Sequence, residues 1–452
     1  GLNTARSARS HSGRCLLPGL RSDALGPMDE GTNRHALAGY SHPLGRQFCT
    51  VNKHAQPMQF AVWGAREYLS VIRSILTGQV RVGPNVAKLQ RKFATIYGQS
   101  TVLPVNAGRT ALRLALGVFA MHRPERRRVL MPEYLCPSAV DVVRDLGLEP
   151  WPVKVGADLN LDPDDLNLDD SVLAVVAAHM YGCPARIGEI ERRCRAAGVF
   201  LIDDAAQVVG VCSDGRMLGT FGDLGIVSFA QSKTVVTGIR GSGGLLLINN
   251  VNFHPSSLQS YSELRPPLNR LTSFTLFVVE YLLAGKLGSA GYYVSRIANK
   301  ILPGFNKSPY SPALLGNLEA GIAIAQLERL QQVLSVKRGV ADLYAAALSK
   351  ISAIKIPQHA PGRFLSRIFI EFTDPQTAFI VRRGLQSRKI STRLAYPPWT
   401  EKEGISDTNS IANRLVEMPS RVQMTEADVA WVSCSIHEIL NETMPRKFSK
   451  AT

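Results

Sequence analysis

The chain has 452 residues, 45% of them hydrophobic, enough for two or three domains of about 150 residues each with buried cores. Its 37 Gly and 26 Pro are near ordinary usage, which excludes disorder throughout and collagen-like or low-complexity architecture. The 52 Lys and Arg against 36 Asp and Glu give a net charge of +16, which favours anionic partners (nucleotides, phosphorylated substrates, acidic membranes or nucleic acid) without choosing among them.

Residues 1–60 carry little periodic apolar pattern. Arg6, Arg9, Arg14 and Arg21 precede the first acid, Asp23, superficially like an organelle transit peptide; the chain begins at Gly1, and Met28 offers an internal start. We read this segment as a basic, poorly ordered extension. From residue 61 the chain alternates short apolar runs with helical patterns. The runs 102–105, 129–131, 172–178, 199–202, 225–229 and 245–248 are apolar throughout rather than alternating, as strands of a parallel sheet covered on both faces are. Helical patterns at 110–120, 138–146 and 187–197 lie between them. This order predicts an α/β, mostly parallel doubly wound sheet over 61–330, with functional residues just beyond the carboxyl ends of its strands.

Within that unit, 251–312 reads as an insertion. Residues 274–284 are apolar except for Glu280, and Glu280 with Lys286 breaks the stretch below the ~18 uncharged residues that a spanning helix needs. Its cover is the core, a partner subunit or, through Arg270, Lys286, Arg296 and Lys300, a membrane surface touched by 270–300. Residues 317–334 predict one long helix. The later runs 343–348, 354–356, 368–372 and 379–385 predict a smaller C-terminal α+β domain over 331–452, closed by a helix at 426–440 that Thr425 caps. The seven cysteines (15, 49, 136, 183, 194, 212 and 434) form no C-x-x-C pair. That supports neither a zinc site nor a disulfide framework and suggests a reducing, cytoplasmic setting, with no metal expected.

Three strand ends carry the chemistry. Strand 199–202 runs into Asp203-Asp204-Ala205-Ala206-Gln207. Adjacent carboxylates there are costly unless partnered; one caps a helix, or one faces a cationic ring nitrogen. Strand 225–229 leads to Lys233 and then to Gly238-Ile239-Arg240-Gly241-Ser242-Gly243-Gly244. A lysine forms imines with aldehydes when burial or nearby cations lower its pKa, and Arg240 is one candidate cation; a solvated surface lysine is the plainer alternative. Upstream, Asn106-Ala107-Gly108-Arg109-Thr110 opens a helix and offers an anion site of backbone N–H groups, although Thr110 reads equally well as a simple cap. This is neither G-x-x-x-x-G-K-[ST] nor G-x-G-x-x-G.

Together the order and spacing resemble the DegT/DnrJ/StrS sugar aminotransferases over residues 62–440. The resemblance rests on Ser74-Ile75-Leu76-Thr77-Gly78 with Gly83-Pro84 and Phe93-Ala94, on Ala107-Gly108-Arg109-Thr110-Ala111-Leu112, and on His179-Met180-Tyr181-Gly182. It continues through Asp203-Asp204-Ala205-Ala206-Gln207, Gly219-Thr220-Phe221-Gly222-Asp223, Ser228-Phe229 with Lys233, Gln326-Leu327-Glu328-Arg329-Leu330 and Glu417-Met418-Pro419. The resemblance implies the aspartate-aminotransferase fold (fold type I) and pyridoxal 5'-phosphate as cofactor. Lys233 would hold the cofactor and move the proton, Asp204 would keep the ring nitrogen protonated, and Gln207 would lie near the phenolic oxygen. Gly108, Arg109, Thr110 and Ser228 would hold the phosphate. The family's ring-stacking aromatic aligns near Cys136, so either Tyr134 or Cys136 takes that place. His179 is a substrate contact or a core histidine, and Asn317 a substrate-side residue near a partner's cofactor.

The implied reaction moves an amino group, from glutamate, onto a nucleotide-linked keto sugar for polysaccharide or secondary-metabolite biosynthesis, in a homodimer. A non-sugar substrate, or an inactive membrane-associated relative, is the alternative. Nucleic-acid binding has only the charge in its favour. Three features depart from the family pattern: Ser242 where glutamate is common, Gly316-Asn317 without a following arginine, and the long 251–312 insertion.

Overall fold

The computed structural model describes residue 56 and residues 63–98, 101–230, 233–238, 243–254, 258–268, 271, 311–355, 365–396, 399 and 411–443. A seven-stranded sheet has the order β1-β9-β8-β5-β4-β2-β3. Its strands are β1 (Thr101–Val105), β2 (Arg128–Pro132), β3 (Glu149–Val153), β4 (Val172–Ala178), β5 (Phe200–Asp204), β8 (Leu224–Ser228) and β9 (Gly244–Ile248). The pairs β3/β2, β2/β4, β4/β5 and β5/β8 are parallel. Strand β9, expected to be parallel like the rest, runs antiparallel to both β8 and β1. The reason is local: Ser228 pairs with Gly244, so the chain turns back at the same end of the sheet without a crossover. Strands β6 (Cys212–Ser213) and β7 (Arg216–Met217) form a separate small hairpin.

Helices α1 (Ala65–Leu76), α2 (Pro84–Ile96), α3 (Gly108–His122), α4 (Pro137–Asp145), α5 (Ile187–Ala197) and the short α6 (Gln259–Glu263) accompany this sheet. Side-chain alternation along the central strands feeds two cores. Leu201 packs with Phe93 and Leu247 on one face. Ile202 packs with Phe119 and Leu246 on the other. Helix α7 (Asn317–Leu327) is buried all round, against α1 and α2. The single helix expected over 317–334 instead breaks at Glu328-Arg329, and α8 (Leu330–Leu348) starts afresh. Both break residues are tied to α1: Arg66 pairs with Glu328 at 2.5 Å, and Arg329 pairs with the buried Glu67.

The C-terminal part holds a four-stranded antiparallel sheet, β10-β11-β13-β12, made of β10 (Ile354–Lys355), β11 (Ile368–Phe372), β12 (Arg393–Leu394) and β13 (Leu415–Met418). Helices α9 (Pro375–Ser387) and α10 (Glu426–Thr443) cover it. Thr425 and Asp428 cap α10 reciprocally: the Asp428 N–H donates to Thr425 Oγ1 at 3.2 Å, and the Thr425 N–H donates to Asp428 Oδ2 at 2.9 Å. Gln56, counted from the sequence as part of the loose extension, is fully buried here, bridged to Ile390 and hydrogen-bonded to Asp428 at 2.7 Å. The apolar run 274–284 and the tail 446–452 lie outside the described residues. Among the described residues no helix is long and apolar enough to cross a membrane.

Candidate active site

The carboxyl ends of β2, β4, β5 and β8 open toward the same edge of the larger sheet, where the start of α3 also lies. Asp203 and Asp204 end β5 with opposite tasks. Asp203 is completely buried: one oxygen bonds His179 Nε2 at 2.7 Å, and the other accepts the N–H groups of Gly219 at 2.6 Å and Phe221 at 3.0 Å. It therefore braces the Gly219–Asp223 loop. His179 is also fully buried, and its Nδ1 accepts the Ala185 N–H at 3.0 Å. Both ring nitrogens are engaged inside the protein, so the reading of His179 as a substrate contact gives way to that of a core histidine that orients Asp203.

The half-buried carboxylate of Asp204 accepts the Ala206 N–H, at 3.0 Å, and among the described residues no arginine or lysine forms a salt bridge with it. Burial raises its pKa, and the nearby Lys233 opposes that rise. Lys233 follows β8 in a turn, its N–H bonding Ala230 O at 3.0 Å. Burial lowers the pKa of its amine; Cys136 and Asp204 oppose the shift and Arg367 adds to it. The segment 233–238 is clamped from below: Gln326 accepts the Val236 N–H at 2.9 Å and donates to Val236 O at 2.5 Å, and Trp63 Nε1 donates to the same oxygen at 3.0 Å.

Gly108 begins α3 directly against Ser228; a Cβ there would come within 3.2 Å of Ser228 Cβ. The first-turn N–H groups of a helix lack intrahelical partners, so this notch suits an anion. Thr110 differs from expectation. It is buried; its N–H bonds Ala107 O at 3.0 Å, and its hydroxyl donates to Asn106 Oδ1 at 2.5 Å, so it shapes the turn from inside. Arg109 is the second residue of α3, half-buried beside the notch.

Tyr134 and Cys136 separate in the same way. Tyr134 is buried with its hydroxyl against that of Tyr181, whereas half-buried Cys136 caps α4, 3.2 Å from Ser138 Oγ, and lies within electrostatic reach of Lys233. Of the two, Cys136 is the residue beside the lysine. Gln207 is buried, with its Oε1 accepting from Ser366 Oγ at 3.4 Å and its amide against Met180 Sδ at 3.8 Å. Asn317 starts α7, its carboxamide taken by the Asn85 N–H at 2.8 Å and Gln79 O at 2.5 Å. It fastens the loop before α2 within its own chain.

The residues present fit pyridoxal phosphate. A half-buried carboxylate with no salt bridge to an arginine or lysine among the described residues suits a protonated ring nitrogen, a glycine notch at a helix start suits the phosphate, and a lysine of lowered proton affinity suits an aldehyde.

Sequence reading missed the wall supplied by the C-terminal part. Ser366, just before β11, donates its N–H to Tyr181 O at 2.7 Å; Tyr181 itself holds a left-handed φ of 52°, a rare backbone conformation for a bulky residue. Arg367 is buried and bonded by its Nε to Glu417 Oε1 at 2.7 Å, by its Nη2 to Glu417 Oε2, and by its Nη1 to Tyr396 OH at 3.1 Å. Burial works to lower the pKa of Arg367, and the Glu417 carboxylate outweighs it and raises it above the ordinary value. Lys337 of α8 is buried too and donates to Ser366 O at 2.9 Å. Glu417 lay within a quoted landmark, but nothing local in the sequence marks Arg367 or Lys337.

A mostly parallel sheet with a half-buried lysine and carboxylate at neighbouring strand ends, beside a helix N-terminus, defines the fold type I transferase class. The profile of the DegT/DnrJ/EryC1/StrS aminotransferase family matches residues 64–263 and 288–437, and the chain belongs to that family. It is similar to a GDP-perosamine synthase of Vibrio cholerae, 23% identical over 354 residues that cover 75% of this chain and 86% of that protein. It is 24% identical to the spore coat polysaccharide biosynthesis protein SpsC of Bacillus subtilis (strain 168), covering 73% of this chain and 78% of the other. Among solved structures, the Helicobacter pylori aminotransferase PseC, involved in pseudoaminic acid biosynthesis, superposes with a TM-score of 0.69 at 12% identity, covering 86% of this chain and all of that one. The fold is thus that of the aminotransferases, and the chain is an aminotransferase of this family.

Proposed function

We propose that this aminotransferase uses pyridoxal 5'-phosphate to move the amino group of an α-amino acid, glutamate above all, onto a nucleotide-linked keto sugar destined for a polysaccharide or secondary metabolite. The observation that carries the reading is the nearness of Lys233 and Asp204: a half-buried amine whose proton affinity desolvation lowers, in the electrostatic field of a carboxylate that forms no salt bridge with an arginine or lysine among the described residues. When bound, the cofactor supplies an electron sink that stores the amino group between the two halves of the reaction. The donor carbon is oxidised from C–N to C=O, the sugar carbonyl carbon is reduced to CH–NH₂, and the electron pair passes between them. Lys233 is the base that takes the proton from the donor carbon and the acid that returns it to the sugar carbon. Asp204 would hold a proton at the ring nitrogen through a charge-assisted hydrogen bond. With the cofactor bound, Gln207 would lie on its phenolic side, Cys136 would pack on the ring with a polarizable sulfur, and Gly108, Arg109 and Ser228 would hold the phosphate, with Thr110 shaping that turn.

We also propose a homodimer. Helix α1 turns Leu69, Ile72 and Leu76 outward on one stripe, 63%, 50% and 81% exposed, and a second copy is the cover we assign to it. A cytoplasmic setting and a division near residue 330 belong to the same proposal. The test is product analysis: holoprotein supplied with glutamate and a panel of nucleotide-linked keto sugars should convert one into its amino sugar, read by mass spectrometry. Turnover confined to non-sugar carbonyl acceptors would overturn the substrate assignment.

A further inference from the structure

Ser366 is fully buried, and each of its polar groups is bonded to a different element. Its N–H donates to Tyr181 O at 2.7 Å, just past the end of β4. Its carbonyl accepts from Lys337 Nζ of α8 at 2.9 Å. Its hydroxyl donates to Gln207 Oε1 at 3.4 Å, in the turn after β5. The two main-chain bonds fix where the residue stands ahead of β11, so the hydroxyl reaches Gln207 from a set position.

Gln207 is anchored at both ends. Its main-chain carbonyl accepts from Thr234 Oγ1 at 3.4 Å, and Thr234 is the residue after Lys233. Asp204, which ends β5, stands three positions before it. The side chain therefore starts between the lysine's turn and the carboxylate's strand end. It is 8% exposed. Its oxygen accepts from Ser366, and among the described residues its Nε2 meets only Met180 Sδ, at 3.8 Å, a weak acceptor. An amide nitrogen carries two N–H groups, so one buried donor remains to be satisfied, and a bound acceptor would satisfy it. Ser366 decides which end of the amide is offered. Its hydroxyl has a proton to place and, among the described residues, no other acceptor for it, so it claims the oxygen of the carboxamide and turns the nitrogen away from itself.

We propose that Ser366 is a positioning residue: it orients the Gln207 carboxamide so that Nε2 donates to the phenolic oxygen of bound pyridoxal phosphate. The proposal rests on the cofactor reading above, which puts Gln207 on that side of the ring, and adds the residue that aims it. The consequence is electronic. The phenolic oxygen is most negative when the bound cofactor has given up the proton it shares with Lys233, so a donor at that oxygen favours the proton-free form. The Ser366 hydroxyl also polarises the amide and strengthens the donor at its far end. Through this one side chain the C-terminal sheet sets how readily the cofactor releases its proton, without touching the cofactor.

The test is a double-mutant cycle read by absorbance, without turnover. Wild type, Ser366→Ala, Gln207→Met and S366A/Q207M are loaded with pyridoxal phosphate, and the midpoint pH at which the visible cofactor band changes is measured for each. Methionine fills nearly the volume of glutamine and carries no N–H. We expect Ser366→Ala to raise the midpoint by about half a pH unit and Gln207→Met by about one, because each withdraws the donor from the phenolic oxygen. The double variant should match Gln207→Met alone. The titratable groups on the elements around the pair, Asp204, Lys233, Tyr181, Lys337, Arg367 and Glu417, are the same in all four proteins, so their effect cancels from the cycle. If Ser366→Ala fails to fold, Ser366→Cys decides: its weaker donor should raise the midpoint by a smaller step in the same direction. A midpoint that Gln207→Met moves and the Ser366 variants do not overturns the positioning role and leaves the cofactor reading intact. A Ser366→Ala shift that persists undiminished beside Gln207→Met marks a general loosening and overturns it as well. If no variant moves the midpoint, the placement of Gln207 at the phenolic oxygen falls, and the proposal with it. A protein that takes up no pyridoxal phosphate overturns the cofactor reading itself.

Discussion

Asp203 and Asp204 are chemically identical neighbours, yet their surroundings assign them to different work. Asp203 satisfies two backbone N–H groups and a histidine that are all cut off from water. Replacing it with Ala strands those donors, and we expect a destabilisation on the order of 3 kcal/mol or more in chemical denaturation. Asp204 satisfies one N–H and otherwise faces Lys233. Its replacement by Asn should leave the fold near wild-type stability, and even relieve it, because a carboxylate penalised by burial is removed. Turnover should fall by about 10- to 100-fold, as the loss of a charge-assisted hydrogen bond of about 1.5–3 kcal/mol implies. A mild Asp203 variant beside a crippled fold in Asp204→Asn would show the two roles to be reversed. The same logic applies to Tyr134 and Cys136: the phenol is committed to Tyr181, and the thiol remains beside the lysine.

Lys337 belongs to the element scale, because its bond to Ser366 O joins α8 to the entry of β11, and its charge faces Glu417 of β13. Its folded pKa, about 8, lies below the ordinary 10.5. Between those values the unfolded chain holds a proton that the native protein releases, so this group's share of stability rises with pH across the window and is least below pH 8. Lys337→Met should therefore flatten the wild type's rise in unfolding free energy between pH 8 and 10.5. An unchanged pH slope in the variant would contradict the buried-charge account. Elements were unevenly legible in the sequence. Strands β4 and β11 and helix α5 lie where continuous apolar runs or 3.6-residue periodicity place them. Strand β3 was not seen, because its sequence Glu149-Pro150-Trp151-Pro152-Val153 carries two prolines; at the sheet's edge they cost little. The break between α7 and α8 was invisible as well, since the ion pairs to Arg66 and Glu67 that fix it come from more than 250 residues upstream.

For the whole molecule, the catalytic half of the site was written in strand-end motifs, and the wall supplied by the C-terminal part was not. Lys233, Asp204, Gln207, Ser228 and Gly108 each follow or precede a strand, where α/β sheets put their functional groups. Arg367, Lys337 and Tyr396 come to wall the cleft only because the C-terminal sheet docks on the larger one, through Ser366 to Tyr181 and through Trp399 Nε1 to Pro132 O at 2.9 Å. No spacing rule encodes such a tertiary meeting. The central claim is that Lys233 carries the cofactor and moves the proton. Borohydride reduction of the holoprotein followed by peptide mapping tests it most directly. The account predicts a single pyridoxyl group on Lys233, with Lys233→Ala retaining its fold but taking up no label. A pyridoxyl group on Lys337 or any other lysine, with Lys233 unmodified, would contradict it.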